Sequence, residues 1–161
     1  MIPGKRTDED FMALALNQAR AAAERGEVPV GALAVTEDRI LSRAFNQVEM
    51  LGDATAHAEM VALTQAEAAL GDWRLTDVTL YVTKEPCAMC AGAMVNCRLG
   101  RLVFGCPDPA AGAAGSVLTV TDGVLHKVPV APGVLARECL EVLQAFFKER
   151  RRQKKDQRAK Q

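Results

Sequence analysis

An α/β sandwich built on a central mixed sheet is the fold this sequence predicts, on three observations. Short apolar runs of strand length alternate along the chain with longer stretches of helical periodicity, the pattern of helices packed on a sheet. A length of 161 residues makes one domain of ordinary size and leaves too little chain for two. Apolar residues reach 49%, and 27 of them are alanines, a composition that favours helices lying close against their neighbours.

Each element has its own signal. Thr7 followed by Asp8-Glu9-Asp10 marks a capped helix start, and Phe11, Leu14, Ala15, Ala19 and Ala22 repeat at helical spacing until Gly26. Val28 to Val35 reads as a strand, weakened near its start by Pro29 and Gly31, and after the Glu37-Asp38 turn Arg39 to Phe45 returns antiparallel to it. Gly52-Asp53-Ala54-Thr55 supplies a second cap for an alanine-rich helix from about Ala56 to Leu70, ended by Gly71-Asp72. Val78 to Thr83 is a buried strand. Pro86 then opens a helix running from Ala88 to about Asn96. Arg101 to Gly105 is a fourth strand, residues 106–115 form a flexible loop by composition, and Lys127 to Val130 is a fifth strand. Gly133 to about Lys155 closes the chain as a long helix with Leu135, Cys139, Val142, Leu143 and Phe146 inward, and residues 153–161 read as frayed.

Composition narrows the function class. No stretch approaches the ~18 consecutive apolar residues of a membrane span. The start Met1-Ile2-Pro3-Gly4-Lys5-Arg6 lacks the apolar segment of a secretion signal. Five cysteines, an odd number at low density, point to reduced thiols or metal ligands in a cytoplasmic protein rather than a disulfide scaffold. The net charge of zero hides an asymmetry: residues 148–161 carry eight basic side chains against Glu149 and Asp156, so the body is acidic and the tail basic. Such a tail, a helical extension from about residue 148, suits an anionic partner, nucleic acid first, or is a solvated helix end whose cations suit the helix dipole.

The chemistry-bearing residues sit near two helix starts: His57 and Glu59 at one, Cys87 and Cys90 at the other. A Cys-x-x-Cys pair at a helix start turns both sulfurs toward one point, and the dipole favours their thiolates. One imidazole and two thiolates suit Zn²⁺ with a fourth position open to water, and Glu59 would be the proton shuttle beside it. Two other readings compete: a redox dithiol, or a closed structural zinc site with Cys97, Cys106, Cys139 or His126 as fourth ligand. The spacing of His57 and Glu59 raises a difficulty. Residues i and i+2 lie about 200° apart on a regular helix, so both reach one water only if His57 points along the axis from beyond the first turn.

His57-Ala58-Glu59 followed by Pro86-Cys87-x-x-Cys90 matches the signature of zinc nucleobase deaminases. From about residue 11 to residue 152 the chain resembles the bacterial tRNA-specific adenosine deaminases. The strongest passages are Glu27 to Ala32, Asn46, Thr55 to Glu59, Glu85 to Met94 and Gly112 to Ser116. The resemblance implies a cytidine deaminase-like fold, a three-layer α/β/α sandwich with a central mixed five-stranded sheet. It implies one Zn²⁺ per chain held by His57, Cys87 and Cys90, with Glu59 moving protons, and conversion of the wobble adenosine of an arginine tRNA anticodon to inosine. Asn46 would bond the purine or its ribose, or else close an Asx turn after a strand. Val28, Pro29 and Val30 would wall the pocket, or be strand core. Asp108 would accept from a ribose 2′-OH, or be a surface acid. Arg150 and Arg151, beside Phe146 and Phe147, match basic positions that would grip the anticodon stem-loop, and relatives form homodimers.

Four departures from relatives stand out. Lys84 occupies a position where an apolar residue is usual, and the 107–111 loop lacks the Lys or Arg common just before Gly112. Cys97 and Cys106 read as packing, and Thr121 to Leu125 is shorter than in some relatives. The competing functions are a deaminase of a free base or nucleoside, such as guanine or cytosine, and a non-catalytic zinc or RNA-binding protein with no use for Glu59.

Overall fold

The computed structural model describes residues 4–161, so the first three residues of the N-terminal stretch read above lie outside it. Helix α1 (Asp8–Glu24) leads into strands β1 (Gly31–Thr36) and β2 (Arg39–Phe45), a single turn α2 (Val48–Leu51) and helix α3 (Ala58–Leu70). Strand β3 (Thr79–Lys84), helix α4 (Ala88–Asn96), strands β4 (Arg101–Cys106) and β5 (Val130–Ala131) and helix α5 (Ala136–Ala159) follow. The five strands form one sheet in the order β2-β1-β3-β4-β5. Strand β1 is antiparallel to both its neighbours, whereas β3, β4 and β5 run parallel, which makes the sheet mixed.

Alternation along each strand sends side chains to two faces, and each face has its own core. Ala32, Ala34, Leu80, Val82, Leu102 and Phe104 meet Ala62 and Leu63 of α3 and Met94 of α4 on one side. Leu33, Val35, Tyr81 and Val103 meet Phe11, Ala15 and Leu16 of α1 and Leu143 of α5 on the other. The result is the three-layer α/β/α sandwich with a five-stranded mixed sheet. Among the described residues no helix is long and apolar enough to cross a membrane.

Local chemistry explains where elements begin. At the start of α1, Thr7 Oγ1 accepts from the Asp10 amide at 3.2 Å and the Asp10 carboxylate accepts from the Thr7 amide at 2.8 Å, a reciprocal cap. At the sheet end of α1, the Asp8 carboxylate receives both arms of Arg101 and the Tyr81 hydroxyl, each at 2.8 Å, pinning the helix to β3 and β4. Gly71, with φ 67°, ends α3 in the left-handed conformation glycine adopts without strain.

Five boundaries differ from the sequence expectation by more than one residue, one of them the start of α5, which lies at Ala136 rather than Gly133. Strand β1 starts at Gly31 rather than Val28, because Val30 donates to the Val28 carbonyl at 2.8 Å in a tight turn and Pro29 has no N–H for a ladder. Thr55 is not a helix cap: its amide and hydroxyl both donate to Asp53 at 2.8 Å, and α3 begins three residues later. Strand β5 lies at Val130–Ala131 because Val128 is already bonded to the Thr121 carbonyl at 2.8 Å. Of residues 153–161, expected to fray, all but Lys160 and Gln161 belong to α5, with Arg152 bridging Glu149 and Asp156 along its exposed face.

Helix α1 lies close on β1 because position 31 carries no side chain. A Cβ at Gly31 would run into the carbonyl oxygen of Ala15 and sit 2.5 Å from the Ala19 amide, both helix backbone. Gly31→Ala should therefore cost about 3 kcal/mol, as overpacking against rigid neighbours does. In urea the midpoint should fall with the slope unchanged; a midpoint equal to the parent's would mean helix and strand are not in backbone contact.

Candidate active site

The sheet brings the chemistry to one edge. Parallel pairing of β3 and β4, with Lys84 opposite Cys106, places their carboxyl ends side by side. Antiparallel pairing puts the start of β1 and the end of β2 at the same edge, with Ala32 opposite Val82 and Gly31 opposite Phe45. The segments that leave this edge carry Val28 to Val30, Asn46, Glu85 to Cys87 and Asp108. Helices α3 and α4 begin there too, so the positive ends of two helix dipoles face one point.

His57 precedes α3 as its cap residue, with an extended backbone (φ −66°, ψ 150°), while Glu59 lies within the first helical turn. This resolves the angular difficulty of their spacing: the imidazole is outside the helix and is not bound by its 100° steps. Turn chemistry upstream delays the helix, through the Asp53–Thr55 bonds and a His57 amide bond to the Thr55 carbonyl at 2.8 Å. Cys87 caps α4 in the same way (φ −74°, ψ 175°), and Cys90 follows in its first turn. His57 Nδ1 lies 3.6 Å from the sulfur of Cys87 and 3.6 Å from that of Cys90.

These separations fit a metal ion. Zn–S bonds of about 2.3 Å and Zn–N bonds of about 2.0–2.1 Å at a tetrahedral angle require N···S distances of about 3.6 Å. The donor chemistry agrees. Burial first, and then Lys84, hold the His57 pKa below its ordinary value, leaving a neutral imidazole with a lone pair. Burial, the Glu59 carboxylate and Cys87 push the Cys90 thiol far up, a repulsion that a dication among these groups reverses. Among the described residues no fourth His, Cys, Asp or Glu joins the cluster. Cys97, Cys106 and Cys139 are buried in the two cores, and His126 bonds the Leu99 carbonyl at 2.8 Å.

A cleft of about 230 Å³ opens over this point, lined by His57, Glu59, Cys87, Asn46, Val28 and Val30 among others. Pro29 is buried and does not line it. Glu59 is 4% exposed, and burial raises its carboxyl to about 7. Asn46 does not close an Asx turn; its side-chain amide faces the Glu27 carboxylate at 3.5 Å.

Two buried glutamates that periodicity gives no reason to single out build the cleft walls. Glu27 is fully buried and accepts from the amides of Glu49 at 3.2 Å and Met50 at 2.6 Å, capping α2. Glu85 accepts from the amides of Asp108 at 2.9 Å, Ala114 at 3.1 Å and Ser116 at 3.0 Å, and from the Ser116 hydroxyl. The loop expected to be flexible is thus tied to one carboxylate. Its Asp108 is buried: Oδ1 accepts from the amides of Ala110 and Ala111, and Oδ2 pairs with Lys84 at 2.8 Å. Arg150 and Arg151 stand apart from the cleft on α5. Arg150 lies over the Phe146 ring at 5.4 Å, and Arg151 lines a groove between α5 and the 106–109 segment.

Known proteins share this chain's sequence and fold over most of its length. Residues 6–151 match the family described as MafB19-like deaminase. A tRNA-specific adenosine deaminase of Bacillus subtilis (strain 168) is 45% identical over 150 residues, 92% of this chain and 93% of the relative. A solved structure from a study of A-to-I editing by tRNA:A34 deaminases at the wobble position is similar with a TM-score of 0.78 and 44% identity, over 83% of this chain and 98% of the other. A guanine deaminase structure from Bacillus subtilis is more distant, with a TM-score of 0.62 and 33% identity over 68% and 71%.

Removing the Glu85 carboxylate should loosen the loop. Glu85→Ala leaves three amides without an acceptor, at a cost of about 3 kcal/mol. Hydrogen exchange should show protection lost first at Asp108, Ala114 and Ser116. Retained protection at those three amides would mean the loop is held by something else.

Proposed function

The chain belongs to the tRNA-specific adenosine deaminase family, and on that premise we propose that it hydrolyses the wobble adenosine of a tRNA anticodon to inosine and ammonia. The observation that carries the reading is a three-donor cluster, His57, Cys87 and Cys90, with the buried carboxyl of Glu59 beside it in a cleft. His57 Nδ1 and the two sulfurs would hold one zinc ion per chain, which when bound supplies a Lewis acid that makes water a nucleophile near neutral pH.

The residues divide the remaining work. Val28 and Val30 wall the apolar side against which a flipped-out base lies, with Pro29 buried behind them. Asn46, its amide fixed by Glu27, bonds the purine or its ribose. Glu59 takes a proton from the attacking water and gives it to the ring nitrogen N1. A carbon–oxygen bond forms at C6, the bond from C6 to the amino nitrogen breaks, and the second water proton leaves with ammonia. A carboxyl that titrates near 7 suits this exchange in both directions. Asp108 accepts from the ribose 2′-OH and favours RNA.

Arg150 and Arg151, on the basic stretch of α5, hold the anticodon stem-loop, an arginine tRNA in the family's pattern. The protein works in the cytoplasm as a homodimer, for which exposed Leu51, Trp73 and Leu118 offer apolar surface. A deaminase of free guanine or cytosine would use the same donors but has no need of the basic helix.

Incubation with an anticodon stem-loop bearing wobble adenosine, beside free adenosine, guanine and cytosine, tests the reading. Inosine should form on the stem-loop alone; ammonia from a free base alone would overturn it. In the same assay Glu59→Ala should lose about 10²–10⁴-fold in turnover while keeping about one zinc per chain. Zinc loss equal to that of Cys87→Ala would make Glu59 a ligand instead.

A further inference from the structure

Among the described residues Lys84 is the one lysine or arginine lining the cleft, and the acidic side chains that line it are Glu27, Glu49, Glu59, Glu85 and Asp108. Those of Glu27 and Glu85 are turned onto backbone amides, and Glu59 is buried. Asp108 and the exposed Glu49 remain to face an approaching strand. Lys84 also lines the second groove, which runs between the 106–109 segment and α5 with Phe147 and Arg151, and Asp108 lines both. The two cavities therefore meet at the Lys84–Asp108 pair, which stands between the catalytic cleft and the basic helix.

The pair is not needed to place Asp108. That residue is held by its own loop, through amide bonds to its Oδ1 at 3.0 and 3.2 Å and by its amide's bond to Glu85 at 2.9 Å. Its Lys84 partner is the more open of the two, with the lysine side chain 34% exposed against 11% for the aspartate. A half-buried lysine on a flexible stem can turn from one anionic partner to another, while the Asp108 carboxylate keeps its two amide bonds. It also serves as a point-charge ligand for phosphate.

When a nucleotide turns its base into a cleft, its phosphates stay at the mouth. Here the mouth would set them against Asp108 and Glu49 unless a cation intervened. We infer that Lys84 is a substrate-binding residue of this chain, leaving Asp108 to take a backbone phosphate of the RNA where the target nucleotide turns into the cleft. The exchange frees Oδ2 of Asp108 to accept from a sugar hydroxyl, so one movement supplies both a phosphate ligand and a ribose ligand. The inference rests on the reading of the substrate as RNA.

The test measures KM and kcat on the anticodon stem-loop across a series of KCl concentrations, for the parent, Lys84→Met, Lys84→Gln and Lys84→Arg. The two neutral variants should raise KM about tenfold at low salt and change kcat less than threefold. Their plot of log KM against log salt should be shallower by about 0.7, the loss of one single-strand phosphate contact, and Lys84→Arg should restore most of it. An unchanged salt slope in both neutral variants, with a lowered thermal midpoint, would make Lys84 a clamp for its loop and overturn the inference. A fall in kcat as large as the rise in KM, at unchanged slope, would overturn it too. A parent protein that leaves the stem-loop adenosine untouched refutes the substrate reading itself, a failure visible before any variant is made.

Discussion

Because the backbone at His57 is extended rather than helical, with ψ 150° one residue before α3 begins, an imidazole and a carboxyl two positions apart serve one point. Inside a regular helix they would face opposite ways. The same device operates at Cys87, which stands outside α4 while Cys90 lies within it. Two helix starts of this kind, set opposite each other, bring two sulfurs to 3.6 Å from one ring nitrogen. Both starts in turn depend on the sheet: α4 leaves the carboxyl end of β3 directly, and α3 follows the turn that leaves β2 at the same edge.

Buried carboxylates finish what the sheet begins. Loops at a strand edge have amides with no ladder partner, and a buried amide without an acceptor is costly. Glu85 satisfies three of them and draws Asp108 against the end of β3, while Glu27 caps α2 and faces Asn46. The hydrogen bonds have an electrostatic signature at Glu85: burial acts to raise its carboxyl, yet the Ser116 hydroxyl and the loop amides outweigh it and leave the pKa below the ordinary glutamate value. The cleft is thus braced by carboxylates that are turned onto backbone amides.

Much of this was legible in the sequence because it is carried by local pattern. The continuous apolar burial of β3 and β4, the helical spacing of Phe11, Ala15 and Ala19, and the Thr7 cap are properties of neighbouring residues, and the structure keeps them. The donor set could be read from Cys-x-x-Cys at a helix start and from one histidine with an acid two residues on. Competition for the same polar groups, local at Thr55 and nonlocal elsewhere, hid the rest. Thr55 has the identity of a cap but is taken by Asp53, and Val128 has the identity of a strand residue but is taken by Thr121. Glycine and alanine between 110 and 115 suggest mobility, whereas the tie to Glu85 spans some thirty residues of sequence. The Lys84–Asp108 pair is equally nonlocal, joining the ends of two strands that only the sheet places together.

Everything in the site turns on one histidine nitrogen and two cysteine sulfurs that converge on a single point. X-ray absorption at the zinc edge of the zinc-loaded protein tests it most directly. The spectrum should show two sulfur neighbours at about 2.3 Å with one imidazole nitrogen and one further light atom at about 2.0–2.1 Å. A shell of three or four sulfurs, or one with no sulfur at all, would contradict it.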